Sequence, residues 1–442
     1  MKAFFKGSIV VKLSAVIWGL GCLVKKQFAK GILYLVSEFL IIHYMVNSGF
    51  YNLKMLVTLG TLEQQKVWNE AKCVYEYVDG DRSLVILLYG ILTLAVCILF
   101  IVLLVKSVKS AYTAEELEKT GKKIPGLRDD LKELLDNNLH VTLLSLPVLG
   151  VVVFTILPLV FMISMAFTDY STINNKLVLF DWVGLDNFKA ILDLKSSLGK
   201  TFISVLTWTI VWAFAATFLN YFLGMGLAIL INWKEIVAKK FWRFCFVLTV
   251  AVPHFVTLLI MKQMLQPEGA VNILLRNLEI IEQGTSLPFF TDPLWAKITV
   301  IIINIWVGVP YTLLQITGIL QNIPSDLYDA AKVDGANPFM TFWKITLPYM
   351  LFVTTPYLIM TFTGNVNNFN VIFLTSGGSP RDISSTAGKT DLLVTWLYKL
   401  TIDNEYYNTG AVIGIATFLT LALVSLVTFN LSKSNRDEEG FR

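Results

Sequence analysis

The sequence predicts an all-α polytopic membrane protein with about eight transmembrane helices, and three observations carry that fold class. The chain of 442 residues is 55% hydrophobic and only 15% charged, where a soluble domain carries about 25% charge. Its apolar residues gather in runs near the roughly 20 residues an α-helix needs to cross the hydrocarbon core. Lysine and arginine concentrate in alternate loops between those runs, the asymmetry that sets orientation. The net charge of +4 is small and scattered, which excludes a nucleic-acid-binding surface. Cys22, Cys73, Cys97 and Cys245 stand alone without CxxC spacing, and His43, His140 and His254 are too dispersed for a metal site.

Residues 1–27 carry Lys2, Lys6, Lys12, Lys25 and Lys26 around an apolar stretch too short to span. They predict a cytoplasmic, interfacial amphipathic segment, and without a small-residue cleavage site they do not read as a signal peptide. Residues 28–105 hold two accessory spans, 28–47 and 84–105, joined by an external loop of mixed charge. The loop 106–139 is basic (Lys106, Lys109, Lys119, Lys122, Lys123, Arg128, Lys132) and belongs in the cytoplasm. Six further spans, at about 140–167, 201–231, 242–265, 293–320, 345–374 and 407–430, make 140–430 the core. Residues 431–442 return as a cytoplasmic tail, so that both termini lie inside.

Two stretches carry the functional signal. The first is the cytoplasmic loop 321–344, between spans six and seven. Ser325 or Asp326 can cap a short helix whose small apolar face is Leu327, Ala330, Ala331 and Val333. Gly335 ends that helix and Pro338 can open another. Asp329 supplies a charge for register. So much punctuation in a short connection predicts a docking surface for another protein. The second is the polar patch Thr361, Thr363, Gly364, Asn365, Asn367, Asn368 and Asn370 inside span seven. Polar side chains at membrane depth are costly unless they meet each other or line a watery path. Uncharged amides and hydroxyls suit a neutral polyhydroxylated solute, because every sugar hydroxyl both donates and accepts. Helix–helix hydrogen bonding is the competing explanation.

Neither Gly199-Lys200-Thr201 nor Gly388-Lys389-Thr390 completes a phosphate-binding loop: Leu194 and Ile383 stand where the leading glycine belongs. The chain is therefore not expected to be an enzyme or to bind a nucleotide itself.

The docking stretch, Asp329-Ala330-Ala331, three residues, Gly335, then Ile345-Thr346-Leu347-Pro348, resembles the EAA loop of ABC-importer permeases, with Asp329 in place of the usual Glu. The run from Asn368-Phe369-Asn370 to Gly377-Gly378, followed by Thr386-Ala387-Gly388-Lys389-Thr390-Asp391, resembles the MalF-type permease of maltose and maltodextrin importers. Residues 182–188, Ala251-Val252-Pro253 and 304–311 extend that likeness over about 140–442. The resemblance implies a type I (MetI-like) ABC importer transmembrane domain in the plasma membrane of a bacterium. Its partners would be a second homologous permease, two ATPase subunits that bind ATP and Mg, and an extracytoplasmic sugar-binding protein. The short loop after span three is compatible with a lipid-anchored one. ATPase docking would fall on Asp329, Ala330, Ala331, Asp334, Gly335 and Ala336. Oligosaccharide contact would fall on His254, Asn304, Gly308, Tyr311, Thr361, Gly364, Asn365 and Asn368. Gly364 stands where the family has an aromatic ring, and His254 where it has a small hydroxyl residue, a hint of altered or larger substrates. Malto-oligosaccharide is the expected cargo, with a galacto-oligosaccharide or raffinose-type sugar as rival. An ion-coupled sugar symporter, the alternative from another class, would need intramembrane acids, and spans three to eight offer almost none.

Overall fold

The computed structural model describes residues 2–431 except Ala71, Lys234 and Ser384, so the expected tail lies outside the described residues from 432 onward. Among the described residues, seven helices are long and apolar enough to cross a membrane, and a bent pair makes an eighth if it is one span. The chain divides into two compact units, residues 1–185 and 186–442.

The first unit holds α1 (Phe28–Thr58), α2 (Ser83–Lys119) and α3 (Leu139–Met165). Helix α2 runs well past the expected end of its span, into the loop read as starting at 106. Ala111-Tyr-Thr-Ala-Glu-Glu-Leu-Glu-Lys is rich in strong helix formers, so the helix continues after the apolar run stops. Its 37 residues reach about 55 Å at 1.5 Å each, beyond the roughly 30 Å core. The N-terminal segment packs on this extension as three five-residue helices, Lys2–Lys6, Ile9–Leu13 and Leu20–Val24. The Ser8 amide donates to Glu115 at 3.0 Å and the Gly19 amide to Ser107 at 2.9 Å. Gly21 lies so close to Ala111 that a Cβ would come within 2.5 Å of the alanine's. Side chains of α2 thus satisfy the ends of helices too short to persist alone.

The external loop expected at 48–83 contains the one β-sheet among the described residues. Strands β1 (Gln65–Asn69) and β2 (Val74–Val78) pair antiparallel, with Trp68 opposite Tyr75. Alternating Val-Tyr-Glu-Tyr-Val favours a strand, and the two rings meet edge to face at 5.0 Å.

The second unit holds α4 (Ser197–Asn232), α5 (Lys239–Ala251), α6 (His254–Met264), α7 (Pro293–Leu320), α8 (Ser325–Val333), α9 (Pro338–Val366) and α10 (Tyr407–Leu431). The fifth expected span is α5 and α6, joined at an 87° bend. Pro253 explains the break. It has no N–H to donate, and it forces Val252 into extended backbone at φ −77°, ψ 129°. Prolines elsewhere are absorbed with less disruption. Single π turns at Val152–Ile156 and Phe342–Thr346 each end two residues before a proline, Pro158 and Pro348. The carbonyl that each ring would strike falls inside the wider turn.

Helices α4 and α7 cross closely. A Cβ on Gly224 would lie 2.8 Å from the Thr312 side chain, and one on Gly308 would lie 2.3 Å from Asn220 Nδ2. Small residues are what let membrane helices approach this far. Two apolar clusters flank the crossing. Trp208, Trp212, Val300, Ile303 and Val366 belong to one, and Tyr221, Met225, Leu313, Ile316, Leu347 and Met350 to the other.

Gly224→Ala is expected to force α4 and α7 apart and to destabilise the protein by about 1–3 kcal/mol. The melting temperature in detergent measures this, and an unchanged value would argue against the close crossing.

Candidate functional site

The segment between the two apolar clusters is polar on all three helices. Thr217 and Asn220 come from α4, Asn304, Gly308, Tyr311 and Thr312 from α7, and Tyr357, Thr361 and Asn365 from α9; together they line a cavity of about 200 Å³. The helical repeat explains the convergence. Asn304, Gly308 and Tyr311, and likewise Thr361 and Asn365, are three or four residues apart and share one face. Five of the eight expected sugar contacts, Asn304, Gly308, Tyr311, Thr361 and Asn365, therefore meet here.

The other three lie elsewhere. His254 opens α6 just after the bend and lines a neighbouring recess of about 170 Å³ with Thr249, Thr257, Trp306 and Tyr311. Tyr311 borders both spaces. A side chain at Gly364 would meet nothing within 4 Å, so the absence of a ring there leaves open space. Asn368 caps the short helix Phe369–Leu374 by accepting from the Val371 amide at 3.3 Å.

Hydrogen bonding separates scaffold from free polar groups. Asn365 Nδ2 donates to Thr217 Oγ1 at 3.0 Å, Asn365 Oδ1 accepts from Asn368 Nδ2 at 3.4 Å, and the Asn365 carbonyl accepts from the Trp212 indole at 3.1 Å. Its amide ties α9 to α4, which is the helix–helix role weighed for the patch. Asn304 and Asn220 differ. They are 6% and 9% exposed, and Asn304 Nδ2 and Asn220 Oδ1 have no hydrogen-bond partner among the described residues. Orphaned buried polar atoms are rare and costly.

Sequence reasoning missed Asn220, Thr217, Tyr221 and Tyr357. A lone amide within the apolar run Phe218-Leu219-Asn220-Tyr221 was the available signal. Gly308 also has a local role. The group that its missing side chain admits is the Asn220 amide.

The loop expected to dock a partner is built around α8. Neither Ser325 nor Asp326 caps it; Pro324 stands at that position, and Ser325 already lies in the helix. Gly335 adopts φ +74°, its amide donates to the Lys332 carbonyl at 3.0 Å, and the Ala336 amide donates to the Ala331 carbonyl at 2.9 Å. That pair of bonds is a Schellman ending, which requires the left-handed conformation at Gly335. The Asn337 side chain accepts from the Met340 amide at 2.7 Å, with Pro338 in the first turn of α9. Asp329, Ala330, Asp334 and Gly335 are exposed, Ala336 is half-buried, and Ala331 packs inward. Asp329 pairs with Lys332 at 2.6 Å. Val333, Phe339 and Trp343 leave large apolar side chains uncovered on the same loop.

Between α9 and α10, Leu392, Leu393, Trp396 and Leu400 are buried, while Arg381, Asp382 and Ile383 are exposed. Asp391 is fully buried and accepts from Lys399 at 2.7 Å and from the Thr395 hydroxyl at 2.9 Å. The backbones of Gly378 and Gly388 touch so closely that a Cβ on Gly388 would lie 1.8 Å from the Gly378 carbonyl oxygen.

Residues 220–434 match the family described as binding-protein-dependent transport system inner membrane component. The galactooligosaccharides transport system permease protein GanP of Bacillus subtilis (strain 168) is 34% identical over 97% of this chain and 99% of its own. The maltodextrin transport system permease protein MalC of Streptococcus pneumoniae (strain TIGR4) is 34% identical over 94% of each chain. In fold, the chain is similar to a bacterial ABC transporter involved in import of the acidic polysaccharide alginate. The TM-score is 0.54 at 20% identity, covering 70% of this chain and 98% of that one.

Thr217→Val and Asn365→Leu are expected to be coupled in a double-mutant cycle by about 0.6 kcal/mol, with an upper bound near 1.7. Thermal stability in detergent reads the cycle. Additive effects would remove the amide–hydroxyl tie between α4 and α9.

Proposed function

The chain belongs to the binding-protein-dependent transport system inner membrane components, the permease subunits of ABC importers, and from that membership we propose that it forms the translocation pathway for a neutral oligosaccharide, a malto-oligosaccharide before others. The cavity among α4, α7 and α9 carries this reading. It lies near the middle of α4 and α7 and toward the C-terminal end of α9, between two apolar clusters, and none of the described residues lining it is acidic or basic. Transport sites lie near the bilayer midplane for the same reason: either side can be opened around them. Amides, hydroxyls and phenols offer donors and acceptors to sugar hydroxyls, and the flat faces of Tyr311 and Tyr357 can cover the apolar face of a ring. Ion coupling would need acids at this depth. The name of the Streptococcus relative supports maltodextrin, and the Bacillus relative makes galacto-oligosaccharide the comparison to run.

The work is supplied by partner ATPases bound to ATP and Mg, which dock on α8 and its Schellman ending. Val333, Phe339 and Trp343 supply uncovered apolar area, and the Asp329–Lys332 pair supplies charge. A second permease and a sugar-binding protein complete the assembly. Ligand and nucleotide reorient the spans by binding one arrangement better than the other. Both termini and α8 face the cytoplasm, and the β1–β2 hairpin faces outward.

Uptake of malto- and galacto-oligosaccharides by the reconstituted importer tests this reading. Accumulation should require ATP and the ATPase subunits; accumulation driven by an ion gradient alone would overturn it. In the same assay Gly335→Pro should insert normally yet lose sugar-stimulated ATP hydrolysis, because proline cannot adopt φ +74° or donate to Lys332. Normal stimulation would count against docking at this loop. Orientation is read from Cys73, the exposed cysteine in the hairpin. A membrane-impermeant maleimide should label it in intact cells, and Cys73→Ser should abolish that labelling. Labelling of Cys73 only in inverted vesicles would reverse the topology.

A further inference from the structure

The two Gly-Lys-Thr segments complete no phosphate-binding loop, yet the fold brings both to one recess. Lys200 and Thr201 from the start of α4, and Gly388 and Lys389 from the segment between α9 and α10, line a space of about 470 Å³ with Lys195 and Asp382. Its charge is unbalanced. Lys389 pairs with Asp382 at 2.5 Å, while Lys195 and Lys200 form no ion pair among the described residues. Lys297, whose ammonium lies 4.8 Å from the centre of the Trp208 ring, adds to the positive field around Lys389. We propose that this recess docks the extracytoplasmic sugar-binding protein, receiving acidic side chains of that partner among Lys195, Lys200 and Lys389.

The cargo does not account for these lysines. A neutral sugar leaves their charge uncompensated, and the recess shares no lining residue with the cavity among α4, α7 and α9 or with the recess at His254. Ammonium groups gathered in one recess repel each other, and carboxylates set between them remove that cost. The recess also faces the right way. Helix α7 begins beside it, with Lys297 against Trp208, and leads at its other end to α8. The lysines therefore lie on the membrane face opposite α8, which a binding protein reaches while ATPases hold α8. The walls are fixed before any partner arrives. The Trp208 indole donates to the Thr390 carbonyl at 3.1 Å, and the Leu393 amide donates to the Thr209 hydroxyl at 3.0 Å. The Ser196 hydroxyl caps α4 by accepting from the Gly199 amide at 2.9 Å. A backbone held in this way lowers the cost of ordering on association. Charges so placed speed encounter and set orientation more than they add affinity.

This inference rests on the sugar-permease reading, and the test separates the two. The complete importer, in nanodiscs of neutral phosphatidylcholine, is titrated with its fluorescently labelled sugar-binding protein. Association with the unaltered importer should slow as salt rises, and Lys195→Glu combined with Lys200→Glu should slow it about tenfold at low salt. Lys195→Gln combined with Lys200→Gln removes the charge with little change of shape. It should flatten the salt dependence even if the reversed variant fails to insert. A carbodiimide, which joins an amine to a carboxylate in contact with it, should link the unaltered importer to its partner through Lys195 or Lys200. Mass spectrometry of the joined peptides reads the link. Unchanged association in both variants, with links confined to other lysines, would overturn docking here, while ATP-driven sugar uptake would keep the permease reading. An effect of the variants seen only after anionic phosphatidylglycerol is added would assign the recess to a lipid headgroup and overturn docking as well. Failure of the unaltered importer to accumulate any oligosaccharide with ATP would overturn both.

Discussion

The close crossing of α4 and α7 is the contact on which the second unit depends. Gly224 and Gly308 remove the side chains that would hold the helices apart, so Thr312 packs against one and Asn220 against the other. In a bilayer the hydrophobic effect does not drive helices together, and van der Waals contact at this range must do so. The same two glycines therefore shape the bundle and frame the cavity. Apolar clusters close above and below because large side chains, among them Trp208, Trp212, Met225 and Leu313, occupy the flanking turns.

Within that frame, polar groups divide by whether the protein itself satisfies them. Tyr221 shares a hydrogen bond with Thr354 at 2.8 Å, and Thr312 donates to the Gly308 carbonyl at 3.1 Å. The Tyr221–Thr354 and Asn365–Thr217 pairs fasten α4 to α9, while the Thr312 bond stays within α7. Asn220 Oδ1 and Asn304 Nδ2 remain unsatisfied in the same layer. Low dielectric makes both classes consequential: a paired group rigidifies, and an unpaired one is costly.

The loop around α8 is physically continuous with this layer. Ile323, just before α8, belongs to the cluster that includes Leu347, Met350 and Tyr221. The Tyr328 hydroxyl shares a hydrogen bond with Thr346 at 3.1 Å. A displacement of α8 must be taken up by that cluster, whose Tyr221 also borders the cavity. Close-packed interiors transmit strain in this way because they have little free volume to absorb it.

What the sequence by itself determined was the membrane class, the number and approximate positions of the spans, and the turn at Gly335. Apolar run length, basic loops and a glycine followed by Asn-Pro are local signals, and local signals survive without knowledge of neighbours. Helix α2 overran its apolar run because helix propensity does not stop at the membrane boundary. The fifth span broke because Pro253 restricts Val252, a signal present in the sequence but submerged in an apolar run. Tertiary structure alone decided which amides are free. Asn365, one of the expected sugar contacts, has its amide bonded to Thr217, 148 residues away in sequence. Asn220, a lone amide in an apolar run, is part of the cavity wall because Gly308 on another helix makes room for it. Hydrogen-bond satisfaction depends on the partner brought opposite by packing, and no one-dimensional pattern specifies that partner.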